Sequence, residues 1–156
     1  MEMREAEIDL AVKEIREIVK AKKPSLALSA SFMPEGGELD DSFALCHYAQ
    51  NYATAGSQLD YILPMTYWNG PKWVVQIAHN AEKKSHRPIY SGLWASEQVA
   101  KPAAKEGENA LVQPGPKNVP TLKLTENVEA LRQQGIKGFV LFQYGTMTDR
   151  LWQELP

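Results

Sequence analysis

Two carboxylates, four aromatic residues and one amide fall where their types and positions could do chemistry. Glu35 follows the first strand-like run, 25–32, and Glu97 follows the third, 87–95. Tyr67, Trp68 and Asn69 lie at the end of the second run, 59–68; Trp94 is near the end of the third and Tyr144 closes the fourth, 138–144. If the strands are parallel, all seven stand at the carboxyl ends, whose loops carry ligands and catalytic groups in parallel α/β proteins. Two carboxyl groups in unlike environments can divide the work, one as a general acid and the other as a nucleophile or base. Exposed rings offer flat apolar surfaces for stacking. Each residue also has an ordinary role: Glu35 as a solvated loop carboxylate, Glu97 as a helix-start carboxylate, and Tyr67 and Trp68 as caps on the core. Asp60 is at the opposite end of its strand and is read as structural, bonded to neighbouring backbone.

The elements that must hold these residues follow from periodicity. Residues 2–22 form the clearest helix, with Ile8, Val12, Ile15 and Val19 recurring at three and four and Leu10, Ala11 and Ile18 widening the stripe. Carboxylates crowd its start and lysines its end, which suits the helix dipole, and Pro24 stops it. The run 25–32 alternates small polar and apolar residues, a strand whose small side chains suit a crowded barrel interior. The loop 33–41 has Pro34, Gly36 and Gly37 as breakers and carries Glu35, Glu38, Asp40 and Asp41, of which Asp40 or Asp41 is expected to cap the next helix. That helix, 42–55, carries Phe43, Cys46, Ala49 and Gln50 along one side and stops at Gly56. The run 59–68 is apolar and aromatic and ends in an Asn-Gly-Pro turn. A helix over 73–84 spaces Trp73, Ile77 and Ala81 by four. Gly92 inside the third strand points to a close backbone approach or a bend.

The stretch 96–121 is irregular apart from one expected helical turn over 98–105. A loop of this length, about 98–121, on the face of the site is expected to be a lid, a binding loop or a mobile segment. A helix over 124–135 has Thr125 as N-cap and Gly135 as its stop. The strand 138–144 follows, then a last helix over 149–155 with Leu151 and Trp152 as its apolar face. The order α-β-α-β-α-β-α-β-α makes the chain α/β: four βα units with parallel strands in a single domain, 1–156. Such a series forms a small open sheet or the second half of a TIM (β/α)8 barrel.

The chain has 156 residues, 44% hydrophobic and 23% charged, enough for one domain with its own core. A net charge of −2 without a basic stripe gives no electrostatic reason to expect nucleic acid or an anionic membrane as partner. No apolar run is long enough to cross a bilayer, and the start, Met-Glu-Met-Arg-Glu-Ala-Glu, reads as an acidic helix start rather than a signal peptide. The lone Cys46 excludes an internal disulfide and reads as a small buried hydrophobe. His47, His79 and His86 lie far apart, so neither a metal site nor a cofactor is expected. Neither Gly-x-Gly-x-x-Gly nor the Gly-Lys-Ser/Thr loop of nucleotide-binding proteins occurs.

The segment Gly56-Ser-Gln-Leu-Asp-Tyr-Ile-Leu-Pro-Met-Thr-Tyr-Trp68 resembles the "G-x-x-D-Y-I-x-P-Q-x-Y-W" motif of the glycosyl-hydrolase-like ten family of bacterial proteins. On either side, a helix followed by Lys-Lys-Pro and a Ser-x-Ser-Phe strand resembles that family's fourth helix and fifth strand. The run Gly135-Ile-Lys-Gly-Phe-Val-Leu-Phe-Gln-Tyr144, then Leu151-Trp152, resembles its eighth strand and closing helix. The resemblance covers nearly the whole chain as the second half of a (β/α)8 barrel and implies a cell-envelope or extracellular parent acting on wall glycans or other polysaccharides. Met65 stands where the family usually has a polar amide, the loop after Phe32 lacks its Pro-Phe-Gly pattern, and its Asp-rich fourth-strand motif is absent.

The resemblance gives the residues at the strand ends a shared purpose. Glycosidases commonly flank the scissile bond with two carboxyl groups, so Glu97 is the first choice for a catalytic carboxylate and Glu35 the second. Tyr67, Trp68, Asn69, Trp94 and Tyr144 would bind a carbohydrate ligand. A non-catalytic glycan-binding domain would keep the rings and lack the acid and base. A third reading is an assembly unit, a half-barrel closed by a second copy or by a complementary N-terminal half. Opening in a helix with no strand before it leads to the expectation of a fragment or an engineered half.

Overall fold

The computed structural model describes residues 2–67, 70–95, 124–142 and 147–155. Helix α1 spans Glu2–Lys22 and is followed by strand β1, Ser29–Phe32, a 3-10 turn at Pro34–Gly37 and helix α2, Ser42–Tyr48. A second 3-10 turn, Gly56–Gln58, leads into strand β2, Tyr61–Pro64, helix α3, Pro71–Ser85, and strand β3, Tyr90–Trp94. Helix α4, Leu124–Gln133, strand β4, Gly138–Phe142, and helix α5, Asp149–Glu154, complete the described elements. The chain is thus α/β, with short parallel strand pairs. The irregular stretch 98–121 lies outside the described residues.

β1 runs parallel to β2 with Ser29 opposite Tyr61 and Phe32 opposite Pro64; β3 runs parallel to β4 with Tyr90 opposite Gly138 and Trp94 opposite Phe142. One parallel bridge, Ile62 to Ile89, and the Ile62 amide donating to Pro88 O at 3.1 Å join the two pairs through β2 and β3. Alternate side chains therefore share a face. On one face Phe32, Ile62, Pro64, Ile89, Ser91 and Leu93 are buried, and Phe139 and Leu141 pack against the core that Phe32, Ile62, Ile89 and Leu93 form with Val74, Ala78, Val128 and Leu131 of α3 and α4. The other face holds Ser31, Tyr61, Leu63, Tyr90 and Trp94, none of them buried, with Val140 43% and Phe142 42% exposed. Parallel sheets are ordinarily covered on both faces; here the described helices cover one.

Local sequence accounts for most helix ends. α3 starts with Pro71 in its first turn, where the missing N–H costs nothing, and buries Ile77 and Ala81 as their spacing predicts. Gly135 adopts φ 71° just past α4 and closes that helix as expected. Thr125 lies within α4 rather than capping it, since the helix already includes Leu124. α2 is shorter than its pattern predicts: Ala49 turns left-handed and the Asn51 side chain accepts the Ala53 amide at 2.8 Å, drawing the backbone into a turn. α2 buries Ala44 instead of Phe43, and Cys46 is exposed, not buried. Asp40 accepts the Ser42 amide at 3.0 Å at the start of α2, while Asp41 pairs with Lys84.

α1 departs most from its pattern. Ile8 and Val12 pack against the core, whereas Leu10, Ile15 and Ile18 are 50%, 51% and 59% exposed. The helix has apolar residues over most of its circumference, and packing selects only one flank. Among the described residues no helix is long and apolar enough to cross a membrane.

Candidate functional site

The chain turns sharply after β2 and lays Tyr67 across β3. Met65 N donates to Phe32 O at 3.0 Å, Thr66 N donates to Pro64 O at 3.0 Å, and the buried Thr66 hydroxyl donates to Gly92 O at 2.9 Å. Gly92 makes this crossing possible. A Cβ there would lie 3.0 Å from Tyr67 Cε1 and 3.1 Å from Pro64 O, so the close approach expected at this glycine is present.

Tyr67, Trp94 and Phe142 form one cluster of rings. Tyr67 stacks on Phe142 with centroids 5.2 Å apart and planes 21° apart, and meets Trp94 edge-on at 5.9 Å. Trp94 and Phe142, opposite each other in the β3–β4 register, have centroids 5.3 Å apart. Spacings of this kind are favourable for aromatic pairs. Partial burial pushes the Tyr67 phenol above its ordinary range, so at neutral pH it remains a protonated donor. The cluster lies at the carboxyl ends of β2, β3 and β4, on the face the described helices leave open. Below it on that face, Tyr61 and Tyr90 meet edge-on at 5.1 Å.

The structure brings together Tyr67 and Trp94 of the residues singled out in the sequence, and adds Phe142. Phe142 lies two residues before Tyr144 in the sequence, and its partner Trp94 emerges only once the β3–β4 register is known. Trp68, Asn69, Glu97 and Tyr144 lie outside the described residues. Glu35 sits in the turn Pro34–Gly37 beside Tyr52, whose buried phenol is pushed far up first by burial and then by the Glu35 charge. Glu35 Oε2 is buried without a hydrogen-bond partner among the described residues. Its loop is tied to α3: Lys84 Nζ donates to Gly36 O at 2.9 Å and Glu38 O at 2.7 Å, and Trp73 Nε1 donates to Glu38 Oε1 at 2.6 Å.

Asp60 precedes β2, at the opposite end of the strands. Its carboxylate accepts from Lys20 Nζ at 2.8 Å, the Leu28 amide at 2.7 Å and Arg16 at 3.3 Å. Lys20 first, then the Leu28 amide, hold its pKa down at about 2. Asp60 is a clamp joining α1, β1 and β2, bonded to backbone as its place in the sequence suggests. Among the described residues no three His, Cys, Asp or Glu side chains are grouped to hold a metal ion.

Comparison of the chain with protein-family models, with curated proteins and with solved structures found no match.

Proposed function

We propose that the chain is a carbohydrate-binding, glycoside-hydrolase-like domain whose sugar-facing surface is the Tyr67–Trp94–Phe142 shelf. The observation that carries this reading is the convergence of three rings, from β3, β4 and the turn after β2, on the open face at the strand ends where parallel α/β proteins bind ligands. Sugar rings expose C–H faces that stack on aromatic rings, and the protonated Tyr67 hydroxyl adds a donor beside them. Trp68, Asn69 and Tyr144, next to the shelf in sequence, would extend it. Hydrolysis would rest on Glu97, following β3, with Glu35 as second choice. The ligand class is a bacterial cell-wall glycan or another polysaccharide, and the setting is the cell envelope or the extracellular space.

The test is titration with cell-wall glycan oligosaccharides, followed by tryptophan fluorescence. Tyr67→Ala should weaken binding roughly tenfold, about 1.4 kcal/mol, the scale of one lost ring contact. Glu97→Gln should abolish glycan cleavage while leaving binding intact. Unchanged affinity in Tyr67→Ala would overturn the shelf, and retained cleavage in Glu97→Gln would overturn that carboxylate's role.

One observation favours a second reading, an assembly unit. The parallel strands leave Tyr61, Leu63, Tyr90, Val140 and Phe142 on an uncovered face. That pattern fits half of a (β/α)8 barrel, closed by a second copy or by a complementary half. Light scattering would give a dimer if two copies close one barrel; a stable monomer at micromolar concentration would count against closure by a second copy.

A further inference from the structure

At the amino-terminal ends of the strands, away from the aromatic shelf, lies a cleft of about 550 Å³ between α1 and the turn Gly56–Gln58. Its charged lining is Lys13, Arg16, Lys20 and Arg87 against a single carboxylate, Glu17. Asp60 engages Lys20 and Arg16, so counting it as well leaves an excess of two positive charges in a chain whose net charge is −2. The two guanidinium groups are fixed by consecutive backbone carbonyls of one turn. Arg87 Nε donates to Ser57 O at 2.8 Å, and Arg16 Nη1 donates to Gln58 O at 2.8 Å. Among the described residues the Arg87 side chain makes no other hydrogen bond, and Arg16 bonds through Nη1 alone. Both therefore keep N–H donors in a fixed plane. Among the described residues Lys13 is held only by a 4.0 Å pairing with Glu17, and both side chains are more than half exposed.

We propose that this cleft binds a phosphate group, free or as a monoester. A planar guanidinium with two N–H donors in parallel matches two oxygens of a tetrahedral oxyanion, and pinning by a backbone carbonyl lowers the entropy lost on binding. The excess of two charges matches a phosphate dianion. The cleft is larger than a bare phosphate and leaves space for the body of an ester. This site is independent of the glycan-binding reading, since it uses other residues at the other end of the strands.

The experiment is a titration of the full chain with inorganic phosphate, and separately with phenyl phosphate, at constant ionic strength set with chloride. It is followed by amide NMR shifts at Ser57, Gln58 and Arg87. Saturable shifts confined to these amides are expected, with tighter binding of phenyl phosphate if the site takes an ester and equal binding if it takes the free ion. Arg87→Gln should weaken binding roughly tenfold, and Arg87→Lys, which keeps the charge without the fork, should weaken it by at least about threefold. Lys13→Gln, at an exposed position with little effect on folding, should weaken it about twofold, and it tests the site should Arg87 variants fail to fold. Shifts that do not saturate, that chloride reproduces, or that persist unchanged in Lys13→Gln and in a folded Arg87→Gln would overturn the site.

Discussion

Replacing Asp60 with Asn should destabilise the chain by about 1–2 kcal/mol at neutral pH, and the loss should fade in acid. The carboxylate pKa falls from its usual 3.8 to about 2, chiefly through the Lys20 hydrogen bond and then the Leu28 amide. A depression of that size corresponds to roughly 2.5 kcal/mol. The side chains of Asp60, Lys20 and Arg16 keep 28%, 26% and 32% of their surface open to water, and solvent screening lowers the figure to the range above. The folded chain binds this proton more weakly than the unfolded chain. The stabilisation is therefore complete above the unfolded value near 3.8 and is lost as pH falls through 3.8 toward 2. Asn keeps one oxygen for the Leu28 amide and offers no charge to Lys20 or Arg16. Urea unfolding of both chains, from about pH 7 down to about pH 3, isolates the difference because every other titrating group is shared. A gap that shrinks toward acid is the expected result. A gap constant with pH, or none at pH 7, would refute the ionic account of this clamp.

Two further substitutions test how the loops are held. Gly92→Ala places a methyl 3.0 Å from the Tyr67 ring and 3.1 Å from Pro64 O. It should cost about 1–3 kcal/mol and change the near-UV circular dichroism of the ring cluster; an unchanged spectrum would mean that Tyr67 does not lie across β3. Lys84→Met removes three hydrogen bonds, to Gly36 O, Glu38 O and Asp41 Oδ2. Hydrogen exchange over 34–41 should rise and stability fall by about 1–3 kcal/mol, whereas unaltered protection would show that the loop is held without Lys84.

The features legible in the sequence are those set by neighbours in the chain. The four-residue spacing of Ile77 and Ala81 and the glycine after α4 act within a turn or two, and each is found where the pattern places it, whereas Pro71, assigned to a turn by its Asn-Gly-Pro setting, opens α3 instead. Gly92 and Asp60 were also readable, because a glycine inside an apolar run and a carboxylate at the start of one have few physical explanations. α1 was readable as a helix but not in its orientation. With apolar residues over most of its circumference, nothing local distinguishes Ile8 and Val12, which pack, from Ile15 and Ile18, which stay open.

By itself, then, the sequence determined the succession of helices and strands and the end of the strands to which Tyr67 and Trp94 belong. Only the tertiary structure decided that Phe142 completes their cluster, that Glu35 sits beside Tyr52, and that Arg16 and Arg87 meet on one turn. Periodicity and capping are short-range, so they can be read along the chain. Strand register, the choice among competing apolar flanks, and the pairing of charges from separate elements depend on surfaces that meet only after the chain has packed.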